Sequence, residues 1–298
     1  AENNVNFLFE ASVGGGIPII RPISQCLAAN EIDEIAGILN GTTNFILTKM
    51  ITDGMTFDEA LLLAQKNGYA ERDPSADVDG FDACRKICIL AALCFGKHVY
   101  PDSVYTEGIR KIALADVEYA RAWGGVIKLI ARAKLLEDNR VAVMVSPAFV
   151  QNHSQLASVD DVFNAILVRG DAIGDVVFYG KGAGKMPTAS AVVADVIDCA
   201  RHMERKKFFG WQDSEEGYVA DYLETKSSFY VRMSSDNAAA ALVEINKAFG
   251  AVTMLAGVDA PDGEFAFTTA IISERELAEK LPEITSAKAE SVIRITDY

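Results

Sequence analysis

Positive charge is in short supply. The chain has 28 Lys and Arg against 42 Asp and Glu, a net −14. With no basic surplus to neutralise phosphates, the composition argues against a nucleic-acid or anionic-membrane partner. It leaves anionic small molecules open, since these need only local donors. Cysteine is scarce as well. Cys26, Cys84, Cys88, Cys94 and Cys199 are scattered and odd in number, which points to reduced thiols and a cytoplasmic protein rather than a disulfide framework. Neither a signal peptide nor an apolar run of membrane-spanning length is found. His98, His153 and His202 share no ligand spacing, and Cys84 and Cys88 lack a third or fourth ligand nearby, so no zinc site is read. No GxGxxG follows a strand anywhere, so a dinucleotide, if one is used, has its main binding unit elsewhere. An initiator Met is missing too. The chain enters at once with Val5–Phe9, a buried-strand pattern. That suits a chain cut at a domain boundary; ordinary Met removal accounts for it equally.

What is present is a long, half-hydrophobic chain of 298 residues, enough for a sizeable core in one large domain or two smaller ones. Residues 14–29 read as a glycine-rich turn and then a helix with Pro18 in its first turn. Residues 32–39 read as a strand ending at Asn40-Gly41, and Thr42-Thr43-Asn44 opens a helix to about residue 53. Thr56 or Asp58 opens another, stopped by Asn67-Gly68. An acidic, turn-like stretch over 70–79 precedes a long helix from about Gly80 to Phe95. Residues 104–177 mix short strands and helices (117–122, 125–134, 142–147 and, just beyond, 176–179). A glycine-rich loop over 180–187 leads into a helix over 188–203. Residues 204–226 are charged and aromatic without clean periodicity, and are read as a linker. Beyond them the order is βαββαβ: strands at 228–233, 251–257, 265–272 and 291–295, helices at 238–249 and 274–281. That is the order of a ferredoxin-like unit of about 70 residues.

Three stretches carry the chemistry. Gly68 to Lys86 packs five carboxylates into the twelve residues from Glu71 to Asp82, followed by an apolar helix. Asp82 and Lys86 are four apart and share a helical face. A carboxylate beside an ammonium at a pocket mouth can hold, orient and move a proton. By spacing alone the pair reads equally as an exposed ion pair, with Asp79 as N-cap and Asp82 completing a capping arrangement. Glu10-Ala-Ser-Val-Gly-Gly-Gly-Ile-Pro18 places three glycines after a strand. Its carbonyls and the Glu10 carboxylate suit a hard cation, and a tight strand-to-helix turn is the alternative. Gly180-Lys-Gly-Ala-Gly-Lys-Met-Pro-Thr188 opens a helix, where backbone amides favour anions; it is neither a dinucleotide fingerprint nor a P-loop.

Taken together, four ordered blocks resemble homoserine dehydrogenase: Glu10–Pro18, Gly37–Leu47, Gly68–Lys86 and Gly182–Asp195, within residues 5–203. The last 70 or so residues resemble an ACT domain, a module that often binds amino acids. The resemblance implies NAD(P)-dependent interconversion of L-homoserine and L-aspartate 4-semialdehyde, in threonine, methionine and isoleucine biosynthesis. It implies that Glu71 binds the substrate ammonium. Lys86 handles the hydroxyl proton, with Asp82 positioning and tuning it. Thr42 and Tyr69 line the substrate site and Asp77 supports it. The Glu10 carboxylate and the carbonyls of Val13, Gly15 and Ile17 hold a monovalent cation such as Na+ or K+, and Gly182 and Gly184 pass close to the nicotinamide end of the cofactor. Two departures stand out. The family's N-terminal nucleotide-binding domain is missing, with a family lysine linked to proton transfer. The first βα turn of the ACT-like unit, Ser234–Ala238, lacks its usual glycine.

The expected fold is therefore α+β: a mixed α/β catalytic-dimerisation domain with a large sheet over 1–215, then a ferredoxin-like ACT-type unit over 227–298. The chain is expected to be a dehydrogenase fragment needing the absent domain for turnover. The alternative, from another class, is a non-catalytic amino-acid-binding regulator using the ACT-like tail. The partner is a small-molecule substrate, and the apolar strands between 104 and 179 suggest a homodimer or higher homo-oligomer.

Overall fold

The computed structural model describes residues 5–204, 210–256 and 261–298. Along the chain run β1 (Ile32–Ile38), α1 (Gly41–Asp53), α2 (Phe57–Lys66), α3 (Ser75–Val78), α4 (Phe81–Phe95), β2 (Tyr105–Thr106), α5 (Leu114–Trp123), β3 (Gly125–Leu135), β4 (Val141–Gln151), β5 (Phe163–Gly170), β6 (Gly174–Lys181) and α6 (Lys185–Arg201). Then follow β7 (Lys226–Ser234), α7 (Ala238–Phe249), β8 (Thr253–Leu255), β9 (Glu264–Thr268), β10 (Ile272–Ser273), α8 (Glu274–Lys280) and β11 (Lys288–Thr296). Among the described residues all eleven strands join one mixed sheet, whose main path is β6-β5-β1-β3-β4-β11-β7-β9-β8.

Strand alternation sorts the core. Ile35, Ile127, Leu129, Ala131 and Ile166 face the side covered by helices, together with Ile46, Leu47, Ile87 and Leu90 from α1 and α4. Their neighbours Ala36, Ile38, Ile130, Ala165 and Leu167 face the other side, where the segment through Leu156, Ala157 and Val159 crosses the sheet. Burial on both faces removes the period-2 signal from β5, which is why Ala165-Ile-Leu-Val168 gave no strand in the sequence.

The first residues depart from expectation. Val5–Phe9 is not a strand: no ladder partner stands beside it among the described residues, and Val5 and Phe7 are exposed. The helix expected after the glycine turn is reduced to a short helical stretch that includes a wide turn, Pro22–Cys26. Pro22, not Pro18, stands in its first turn. Lacking an N–H, it supplies only a carbonyl, which accepts from Leu27 N at 2.9 Å.

The C-terminal strands run in the spatial order β11-β7-β9-β8, all antiparallel. β11 also pairs in parallel with β4, from Arg294↔Ala148 to Thr296↔Val150. Of the stretch expected as a linker, 205–209 lies outside the described residues, as does Gly257 at the end of one expected strand. The rest of that stretch is packed down: Tyr218 and Ala220 are buried, Val141 N donates to the Tyr218 carbonyl at 3.0 Å, and Ala220 N donates to the Val141 carbonyl at 2.9 Å.

Candidate active site

The end of β1 organises the site. Asn40 follows the strand in extended conformation and caps α1, its Oδ1 accepting from Thr43 N at 2.9 Å. That leaves its amide nitrogen to donate to two acids: Asp77 Oδ1 at 2.6 Å and Asp82 Oδ2 at 2.9 Å. The same Asp82 oxygen lies 2.7 Å from Lys86 Nζ, which also donates to the Leu39 carbonyl at 3.0 Å. Asp82 and Lys86 sit one turn apart on α4, so the spacing seen in the sequence is realised as an ion pair. Their side chains are 30% and 20% exposed, covered enough to be oriented and open enough to meet a ligand.

Gly80 sets the approach of α4. At φ +86 it occupies the left-handed region as N-cap. Asp79 is therefore not the cap; its carboxylate pairs with Arg110. Burial raises Asp77 above the ordinary carboxylate range. The hydrogen bond from Asn40 works against that shift, and the Asp82 charge adds to it.

The neighbours fall around this cluster unequally. Thr42 Oγ1 donates to the Tyr69 carbonyl at 2.7 Å, tying α1 to the acidic bend. The Tyr69 ring is half exposed and packs edge-on against Phe45, 5.0 Å between centroids. Glu71 is exposed, its carbonyl accepting from Gln65 Nε2 at 3.0 Å. The hydrogen-bonded cluster thus joins Asn40, Asp77, Asp82 and Lys86, with Thr42 at its edge, and Glu71 stands outside it. Asn40 was read in the sequence only as a strand end. Its signal was available: Asn directly before Gly-Thr-Thr is an N-cap pattern.

The two glycine loops lie against each other. Gly16 N donates to the Lys181 carbonyl at 3.0 Å. A Cβ on Gly15 would collide with the Gly182 carbonyl, and one on Gly16 would lie 2.6 Å from Pro187 Cβ. Glycine at 15, 16 and 182 is thus required by chain packing. Gly184 differs. It adopts φ +118 and its missing Cβ faces nothing closer than Pro187 at 3.5 Å. Glu10 is buried with both carboxylate oxygens engaged: Oε1 accepts from Ile19 N at 2.6 Å and Ile20 N at 2.8 Å, Oε2 from Arg21 N at 3.0 Å and Arg21 Nε at 3.1 Å. Four donors fill its acceptor sites, so the Glu10 carboxylate has no free lone pair to offer a cation, contrary to the expectation. No cluster of three or more His, Cys, Asp or Glu suited to a metal occurs among the described residues.

A cavity of about 670 Å³ opens elsewhere, on the opposite face of the sheet between Glu34, Arg132, Lys134 and Tyr298. It touches none of the candidate residues. The chemistry-bearing site is instead the shallow sheet end at Asn40 and Lys86.

An ammonium and two carboxylates are gathered beside one amide at the end of a sheet. The sequence and the fold both assign a family. The homoserine dehydrogenase family model matches residues 18–197. A homoserine dehydrogenase of Synechocystis is 53% identical over 200 residues, 66% of this chain and 46% of that protein. One from Neisseria gonorrhoeae is 37% identical over 297 residues, covering 95% of this chain and 68% of the relative. Among solved structures, a homoserine dehydrogenase from Thiobacillus denitrificans superposes with a TM-score of 0.86 at 35% identity, over 97% of this chain and 70% of that one. A hyperthermophilic archaeal homoserine dehydrogenase mutant, solved in complex with NADPH, gives 0.58 at 32% identity over 67% of this chain and 57% of its own. The chain belongs to the homoserine dehydrogenase family. It spans about half the length of most of the curated relatives it matches. No helix among the described residues is long and apolar enough to cross a membrane.

Proposed function

We propose that this chain supplies the substrate-binding and proton-handling part of an NAD(P)-dependent homoserine dehydrogenase. The observation that carries the proposal is the Lys86 ammonium, fixed between Asp82 and the Leu39 carbonyl at a half-open sheet end. Homoserine oxidation needs the hydroxyl proton to leave while hydride departs from the same carbon. Lys86 takes that proton as it passes one of its own to Asp82, so that an ammonium remains to stabilise the developing alkoxide, and the Asp82 carboxylate holds Nζ in place. Glu71, exposed and carrying a carboxylate, suits the substrate ammonium. Thr42 and Tyr69 hold the acidic bend against α1, and Asp77 supports the cluster through Asn40.

When bound, NAD(P) supplies the hydride acceptor, with Gly182 and Gly184 at its nicotinamide end. The left-handed backbone at Gly184 (φ +118) and an unpaired amide at Asn164 fit that placement. The main nucleotide-binding unit is assigned to another part of the protein, since no dinucleotide fingerprint occurs in the chain. The exposed apolar residues Phe7, Val192, Val193 and Val196 beside the glycine loops offer it a docking surface. A sodium or potassium ion is assigned to the Val13, Gly15 and Ile17 carbonyls, with Glu10 as the buried anchor. Residues 227–298 are read as an ACT-like regulatory unit on their βαββαβ order, the protein as a homodimer, and its location as cytoplasmic.

The test is to combine the chain with a nucleotide-binding unit and measure homoserine-dependent NADPH formation. Lys86→Ala is expected to lower kcat by about 100-fold or more. Unchanged kcat would remove Lys86 from the mechanism. Light scattering that gives a monomer mass at micromolar concentration would end the dimer reading.

A further inference from the structure

Asn164 is the second residue of β5, paired across the ladder with Gly180 of β6. Alternation places its side chain on the same face as Ile166, the face of the helices and of the candidate site. The residue is fully buried, yet neither its Nδ2 nor its Oδ1 has a hydrogen-bond partner. An amide has two donors and two acceptor sites, and buried amides are nearly always paired. Its surroundings explain where the partners should come from. A Cβ on Gly182 would fall on the Asn164 carboxamide, so that group presses directly on the start of the loop into α6. On its other side, a Cβ on Gly41 would lie 3.6 Å from Oδ1, and Gly41 adjoins Asn40 at the head of α1. The loop ends at Gly184, the N-cap of α6, which has no side chain to cap the helix.

We propose that Asn164 is a positioning residue of the dehydrogenase site, and this rests on the reading given above. Its carboxamide forms hydrogen bonds with the main chain of Gly182–Gly184 when the nicotinamide end of the cofactor is seated on that loop. It thereby fixes the loop against the Asn40–Lys86 cluster.

The test uses the enzyme assembled with its nucleotide-binding unit. Asn164→Leu keeps the volume and removes the unpaired polar atoms, so the melting temperature is expected to hold or rise. The NADPH dissociation constant, read by its fluorescence, is expected to rise at least about tenfold, roughly 1.4 kcal/mol, while KM for homoserine stays within about twofold. Amide exchange at 182–184, slowed by NADPH in the wild type, is expected to lose that response. Should the Leu variant not fold, Asn164→Ala is read by the same binding and exchange measurements. NADPH affinity within about twofold of wild type in the folded variant overturns the inference. So does a fall in melting temperature with affinity intact, the signature of a purely structural asparagine. A wild type that binds NADPH but ignores homoserine would defeat the dehydrogenase reading alone.

Discussion

Asn40 shows how much one side chain can set. Its oxygen fixes the start of α1, and its nitrogen holds two carboxylates that would otherwise repel. Asp77 is the strained partner, raised by burial with the Asp82 charge adding to it and the Asn40 bond resisting. A carboxyl raised in the folded state binds its proton more tightly there than when unfolded. Its contribution to stability is present at acid pH and is lost as pH rises through the raised value. Asp77→Asn keeps an acceptor for Asn40 and removes the charge. It is expected to melt at or above the wild-type temperature at pH 7. The advantage should vanish below the ordinary carboxylate value of about 4, where Asp77 is already neutral. Melting curves across pH 3 to 8 check this, and a constant difference would count against it. At this scale Asp82 and Lys86 were legible, because i,i+4 spacing survives any packing of the helix. Asn40 was legible only as an N-cap, and Asn164 not at all, because which groups a polar side chain meets depends on what the fold brings beside it.

The motif Asn40-Gly-Thr-Thr-Asn44 is built into α1 as a set of anchors. Asn44 Nδ2 donates to the carbonyls of Val159, Asp161 and Phe163 at 2.9, 3.0 and 3.2 Å. Thr48 Oγ1 accepts from Asp161 N at 3.0 Å. From β3, the buried Lys128 donates to the same Val159 carbonyl at 2.6 Å. Burial lowers its pKa, and the Asp160 charge resists that shift. The segment held this way feeds directly into β5 and Asn164. Asn44→Ala strips a donor from three carbonyls, and is expected to cost about 2–3 kcal/mol, measured by chemical denaturation. A loss under about 0.5 kcal/mol would mean that water replaces the amide freely. Helix α2 was readable from its cap at Thr56 and its stop at Asn67-Gly68, because those signals are local. β5 was not, because a strand covered on both faces loses its alternation.

The whole molecule is more continuous than two units on a linker. Tyr230 from β7 packs in the main core, stacks on Phe149 of β4 at 4.4 Å and donates to the buried Asp116 of α5 at 3.0 Å. Arg232 lies 2.9 Å from that same Asp116. Arg294 of β11 bridges Glu274 and Glu107, both at 2.6 Å. A shared sheet, a shared core and buried ion pairs cross the boundary near residue 226, so the chain is expected to unfold in one cooperative transition. Calorimetry checks this; two separate transitions, one of them lost on Asp116→Ala, would show the halves to be independent.

The sequence by itself determined what local chemistry governs: the caps, the turns, the Asp82–Lys86 pair and the family these blocks belong to. Only the tertiary structure decided which polar groups share a partner. It placed Asn40 between Asp77 and Asp82, left Glu71 outside that cluster, filled Glu10 with four donors and joined β11 to β4. Those relations link residues far apart in sequence. No local pattern encodes them, because they arise only when packing brings distant backbone and side chains within hydrogen-bond reach.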